Sequence, residues 1–132
     1  MGMKKAFIII FSIWAVFLTA CGNPQPKSTL EFVEGKKVTV SETEYVGIFF
    51  NFTNNTGETV MPADEIDVKA FQNGIELNVV VYSGEKIEEA IQCDTFVQTG
   101  TTAKIVWTFE AQDDSNVSVE CSDGQKFEFE ME

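Results

Sequence analysis

The stretch YVGIFFNF, residues 45–52, carries the strongest structural pattern in the chain. Ile48, Phe50 and Phe52 alternate along it and would share one face of a β-strand, because successive side chains of a strand point to opposite faces. Phe49 adds a large apolar side chain to the other face. We therefore predict that residues 45–52 form a central strand with neighbours on both sides.

A β-hairpin is predicted downstream of this strand. Two alternating apolar runs, residues 66–72 and 75–82, flank the pair Asn73-Gly74. A type I′ turn needs positive φ at both central residues, and Asn followed by Gly adopts those angles at low cost. The turn is therefore expected at residues 73 and 74.

Shorter alternating runs cover much of the remaining chain, and they are separated by turn residues. They are residues 37–40, 94–98, 102–110, 116–121 and 125–131. Seven or eight short strands with no convincing helix predict an all-β domain over residues 30–132, built as an antiparallel β-sandwich. A closed barrel is the alternative.

The N-terminus has the parts of an export signal. Lys4 and Lys5 precede an apolar run over residues 6–18, and residues 18–21, LTAC, look like a bacterial lipobox. We predict a lipoprotein signal peptide over residues 1–20, a tether over residues 21–29, and lipidation of Cys21. The protein would then be anchored to the cell membrane by lipid and face the extracytoplasmic side.

Two other interpretations of this segment fit its sequence less well. A permanent transmembrane helix needs about 20 apolar residues, and residues 6–20 supply only 15. An ordinary secretory signal that is cut after Ala20 would leave Cys21 as a free thiol in an oxidising compartment. Both fit the segment less well than a lipoprotein signal does.

The charge of the chain restricts its partners. The formal net charge is −12, and removal of residues 1–20 leaves seven Lys against all 21 acidic residues, a charge of −14. Such a domain has little means to bind nucleic acid, which is held through cationic contacts to phosphate, or to adhere to anionic headgroups. The chain has no His, which excludes a Ser-His-Asp triad and His-ligated zinc.

Two cysteines remain once Cys21 is assigned to the lipid. Cys93 and Cys121 form an even pair in a protein expected outside the cytoplasm, where a disulfide is the simplest interpretation. Cys121 shares a strand face with Val117 and Val119, which fits a bond between two sheets. An edge position for Cys93 and a pair of buried free thiols are the alternatives.

Residues 83–93 differ from the rest because their apolar residues fall at helical spacing. The segment is too short for a stable helix, so we predict one helical turn or an ordered loop that crosses between sheets. Its glutamates Glu85, Glu88 and Glu89 are the best candidates for a partner-binding loop, because connections on a β-sandwich often carry recognition. A solvated face is the plainer interpretation.

Other acidic residues give weaker candidates. Asp113, Asp114 and Asp123 could supply oxygen ligands to calcium, but the hairpin interpretation puts the first two and the third at opposite ends of one strand. Solvated loops explain them. The sequence predicts no catalytic residue, no metal site and no cofactor.

Three segments resemble a known family. They are FNFTNNT at residues 50–56, KAFQNGIEL at residues 69–77 and VQTGTTAKIVWTF at residues 97–109. Together they are similar to the domain of unknown function 5067 family of Gram-positive lipoproteins. The resemblance implies an immunoglobulin-like β-sandwich on a lipid anchor and assigns no catalytic residues. The cysteine pair and the glutamate-rich segment 83–93 depart from the family pattern.

These observations predict a cell-surface lipoprotein that is not an enzyme. Its expected role is binding, or support of an envelope assembly, with the membrane as one partner through Cys21 and an envelope protein or ligand as another. The alternatives are an envelope enzyme that uses carboxylates and a protein that binds divalent cations.

Overall fold

A computed structural model describes residues 27–131. Within this range the chain forms two β-sheets that face each other across a hydrophobic core, with one short helix. The all-β prediction is therefore confirmed. The elements are β1 (Thr29–Val40), β2 (Thr43–Thr53), α1 (Pro62–Glu65), β3 (Val68–Gln72), β4 (Ile75–Glu76), β5 (Val79–Val80), β6 (Ile91–Gln92), β7 (Thr102–Phe109), β8 (Val117–Cys121) and β9 (Lys126–Phe129).

The strand order is that of an immunoglobulin-like sandwich. The five-stranded sheet has the order β1-β2-β7-β5, with β6 also alongside β7, and the four-stranded sheet has the order β4-β3-β8-β9. These orders correspond to strands A-B-E-D and C′-C-F-G of that fold. Every pairing is antiparallel except that of β6 with β7, which is parallel.

The strand β2 is central, as its sequence predicted. It lies between β1 and β7, and residues 46–50 are buried without interruption. Ile48 and Phe50 face the core between the sheets, whereas Phe49 faces outward from the five-stranded sheet. Both faces of β2 are therefore covered by other parts of the chain.

Phe49 belongs to a second apolar cluster on the outer face of the five-stranded sheet. The strand β1 contributes to both clusters, because its register shifts between Phe32 and Glu34. Such a bulge turns the following residues to the other face, so Val38 lies in the outer cluster although Phe32 packs against the inner one. The buried members of the outer cluster are Val38, Val40, Phe49, Ile87, Ala90 and Val106.

The hairpin is confirmed, but its second arm is shorter than predicted. Gln72 pairs with Ile75, and the turn residues Asn73 and Gly74 have φ angles of 55° and 81°. Residues 75–82 do not form one strand. They divide between β4 in the four-stranded sheet and β5 in the other sheet, which raises the strand count within residues 27–131 to nine.

Segment 83–93 is an ordered loop, and the alternative of a helical turn is wrong. Its turn consists of Glu88 and Glu89, with φ angles of 50° and 71°, between Ile87 and Ala90, which exchange backbone hydrogen bonds of 3.0 and 2.9 Å. The segment begins after β5 and ends with β6, and both strands pair with β7 in the same sheet. The predicted crossing between sheets is therefore wrong.

Two further local predictions need correction. Residues 94–98 form no strand, and only Val97 pairs, through an isolated bridge to Val60. The helix α1 was not predicted, and Pro62 at its first turn supports it because proline is tolerated where no N–H is needed.

The cysteines are buried in the core between the sheets, and Cys121 lies on the inner face with Val117 and Val119 as predicted. The structure contains Cys93 and Cys121 as free thiols, and not the disulfide that the sequence suggested. Burial raises the pKa of each thiol to about 12, with smaller contributions from Asp94 at Cys93 and from Asp123 and Asp67 at Cys121.

The buried thiols predict a labelling pattern. At pH 8 a thiol with a pKa near 12 is ionised in about one molecule in ten thousand, and the thiolate is the reactive form. Iodoacetamide should therefore leave Cys93 and Cys121 unmodified in the folded Cys21→Ala chain. In denaturant without reductant, both should react, and intact mass should increase by two adducts. Modification only after reduction would instead establish the disulfide.

Gly35 predicts a second measurable effect. It lies opposite Ile48 on β1, and a Cβ at this position would overlap the ring of Phe129. Gly35→Ala should destabilise the fold by about 1–3 kcal/mol in urea titrations, because the packed ring must move. In a Phe129→Leu background the same substitution should cost clearly less. An equal cost in both backgrounds would contradict the steric explanation.

Candidate functional site

The loop proposed for partner binding is primarily a cover for the outer cluster. Ile87 and Ala90 are buried against that cluster. The buried side chain of Gln92 secures the loop: its Oε1 accepts the Tyr82 N–H at 3.2 Å, and its Nε2 donates to the Glu85 carbonyl at 3.1 Å. Buried amides are costly to leave unpaired, so these bonds fix the loop to the sheet.

The three glutamates of this loop differ in their surroundings. Glu88 forms an ion pair of 2.5 Å with Lys36, and this contact is the main reason that the pKa of Lys36 is raised. Glu85 contributes backbone groups to the contacts with Gln92 and Tyr82. Glu89 is an exposed turn residue. Glu88 and Glu85 therefore make contacts within the domain that hold the loop in place.

Two further buried amides, Asn54 and Gln72, lie in segments that resemble the family. Asn54 donates to the carbonyls of Glu58 at 2.7 Å and Val97 at 2.8 Å, and its Oδ1 accepts the Thr56 N–H at 2.8 Å. It therefore joins the β2 end to two loops. The sequence pattern alone did not indicate this role.

Gln72, in the segment KAFQNGIEL, has the same role at the other end of the domain. Its Nε2 donates to the carbonyls of Asp113 at 2.9 Å and Ser115 at 2.8 Å, and its Oε1 accepts the Gln112 N–H at 2.7 Å. The side chain thus fixes the loop between β7 and β8. Its place in the alternating run 66–72, next to the Asn-Gly turn, was the available indication, but its partners lie about 40 residues away.

The aspartates considered for calcium are separated, as the strand assignment predicted. Asp113 and Asp114 precede β8, and Asp123 follows it. Hydrogen bonds from Ser115, and a weaker one from Asn73, lower the pKa of Asp113. Asp114 pairs with Lys37 at 2.9 Å. Within residues 27–131, no group of three or more acidic, Cys or His side chains is arranged to hold a metal ion.

A groove opens where the chain crosses from one sheet to the other, and sequence reasoning missed it. The crossing is at Leu77 and Asn78: the Leu77 N–H still bonds Ala70 at 2.8 Å, whereas the Asn78 carbonyl already accepts the Glu110 N–H at 2.9 Å. The groove has a volume of about 300 Å³. It is lined by Asp67, Val68, Lys69, Glu76, Leu77, Asn78, Val79 and Phe109.

The chain segment that passes through the groove carries exposed apolar side chains, of which Val79 lines the groove. Ile75, Val79 and Val81 are 55%, 53% and 39% exposed, whereas Leu77 between them is buried in the core. We call Ile75, Val79 and Val81 the apolar rim. Their alternation was visible in the sequence, but only the division between two sheets leaves them in solvent.

The groove is also acidic. Asp67 and Glu76 line it together with a single cation, Lys69, whose Nζ lies 3.9 Å from Asp67. A third carboxylate, Glu110, accepts a hydrogen bond of 3.3 Å from Asn78. The groove therefore combines the apolar residues Val68, Leu77, Val79 and Phe109 with a local excess of negative charge.

Cys21 lies outside the described residues, as do the predicted signal peptide and most of the tether. Between residues 27 and 131, no helix has the length and apolar character needed to span a bilayer.

Comparison with known proteins identifies a family. No curated protein and no solved structure matches the chain. The sequence model of one family, described as a domain of unknown function (DUF5067), matches residues 27–123. The match covers most of the chain, including the three segments that resemble the family and the amides Asn54 and Gln72. This chain therefore belongs to the domain of unknown function 5067 family.

Proposed function

We propose that this protein is a lipid-anchored binding module of the cell surface that captures another macromolecule at the groove and catalyses no reaction. The observation that carries the proposal is the apolar rim. Val79 lines the groove, Ile75 is adjacent in the chain to the lining residue Glu76, and Val81 follows two residues after Val79. The loops of the domain are fixed by buried amides. Exposed apolar residues beside a groove are typical of binding surfaces.

The fixed loops support binding by a preformed surface. Asn54, Gln72 and Gln92 each hold a different connection against the sandwich. A surface that is already ordered loses less conformational entropy when a partner binds. The groove lies on this ordered frame, between the edges of both sheets.

The anchor is proposed from the sequence alone. The lipobox-like residues 18–21 place the lipid on Cys21, six residues before the first described residue, Lys27. Six residues span at most about 20 Å. A domain with a charge of −14 has no electrostatic attraction to an anionic bilayer, so the lipid alone would retain it there.

Replacement of Cys21 tests the anchor. We expect Cys21→Ala to release a folded domain into the medium, because the lipid attachment is lost and the charge gives no substitute. Cell fractionation followed by immunoblotting measures the partition. A variant that stays in the membrane fraction after signal cleavage would contradict anchoring by lipid alone.

Site-specific photocrosslinking tests the binding role. A photoreactive amino acid at Val79 of the membrane-bound chain should give a discrete high-mass adduct in intact cells, because Val79 lies on the apolar rim. The matched control is the same amino acid at Glu128, an exposed position on β9 at the opposite edge of the four-stranded sheet. Equal adducts at both positions, or none at Val79, would contradict binding at the groove.

A further inference from the structure

The groove lies between two sheet edges. The strand β4 ends the four-stranded sheet and β5 ends the five-stranded sheet, so each has one neighbour among the described strands. Alternate backbone N–H and C=O groups of an edge strand point away from its neighbour and can pair with an added strand. The backbone here can therefore accept an extended polypeptide.

The spacing of the apolar rim along the chain matches the side-chain repeat of an extended peptide. Ile75, Val79 and Val81 occupy alternate positions of the crossing segment, with the buried Leu77 completing the series. Side chains of an extended peptide also repeat every second residue. Peptides that add to a sheet edge gain specificity from alternate side chains in this way.

The charge of the groove indicates the charge of the partner. Asp67 and Glu76 line the groove, and Glu110 accepts a hydrogen bond from the lining residue Asn78. The one ammonium group among the lining residues is that of Lys69. A second copy of this chain would bring the same net negative charge and would be repelled. A basic partner would be attracted, because opposite potentials favour encounter.

We propose that the groove binds an extended, positively charged polypeptide segment of another protein. Apolar side chains of the segment contact Ile75, Val79 and Val81, and its lysine or arginine side chains pair with Asp67 and Glu76. The long stems of those cations cover the apolar lining while their heads reach the carboxylates. This inference rests on the proposed binding role and specifies the chemistry of the partner.

The direct test uses a defined probe. A dye-labelled octapeptide of alternating valine and lysine is titrated into the purified full chain in uncharged detergent, and fluorescence anisotropy measures binding. An octapeptide of alternating valine and glutamate is the comparison. We expect the basic peptide to bind at least about tenfold more tightly than the acidic one. Comparable binding of both peptides would overturn the charge assignment.

Matched variants locate the binding. Asp67→Asn with Glu76→Gln removes two charges from the groove, and Glu128→Gln with Glu130→Gln removes two exposed charges from the opposite side. The first pair should weaken binding at least about fivefold, and the second less than about twofold. Equal weakening would show general charge attraction and would overturn the proposal, as would no weakening by the first pair.

The groove variants are chosen to preserve the fold. Asp67 bonds Ser122 only through its backbone, whose N–H and carbonyl both make contacts of 2.8 Å. Asparagine keeps these contacts, and circular dichroism should be unchanged.

Two results separate this inference from the wider proposal. If Val79 crosslinks in cells but the groove variants bind the basic peptide normally, the binding role stands and the basic partner is wrong. Sedimentation of the full chain tests whether a second copy of the chain occupies the groove. A dimer that Val79→Glu abolishes would show that a second copy covers the rim, and would overturn the proposal.

Discussion

The fold depends on covering both faces of one strand. Residues 46–50 of β2 are buried on both sides, and a strand of this kind is stable only when each face is packed against other parts of the chain. The four-stranded sheet covers the inner face. The outer face, with Phe49 at its centre, is covered by the loop that contains Ile87 and Ala90, while the ammonium groups of Lys36 and Lys104 lie over the Phe49 ring at 5.5 and 5.2 Å.

Buried amide side chains hold the connections to this frame. Asn54, Gln72 and Gln92 each use one side chain to bond backbone groups of another segment. A side-chain amide can both donate and accept hydrogen bonds. One such residue can therefore bond loop backbone groups that have no partner in a sheet. Removing such a side chain leaves the backbone groups that it bonds without a partner. This explains why segments FNFTNNT and KAFQNGIEL contain an Asn and a Gln that face the interior.

The outer face of the five-stranded sheet is covered by a loop, whereas the crossing between the sheets is open to solvent. The glutamate-rich loop is held against the sheet by Gln92 and by the ion pair of Glu88 with Lys36. The crossing between β4 and β5 has no comparable cover among residues 27–131, and its apolar rim lies in solvent. The crossing therefore exposes more apolar surface than the two buried loop residues do, although the loop has the more conspicuous sequence.

The sequence by itself determined the strands β2, β3, β7, β8 and β9, the Asn73-Gly74 turn and the sandwich class, because alternation and turn chemistry are local properties of a few residues. It also indicated which residues of β2 and of β8 share one face. Only the tertiary structure decided that residues 75–82 divide between two sheets, that segment 83–93 covers an outer face, and that a groove opens beside Ile75 and Val79. These features depend on contacts between residues far apart in the chain, and local periodicity carries no information about which distant segment supplies the neighbour.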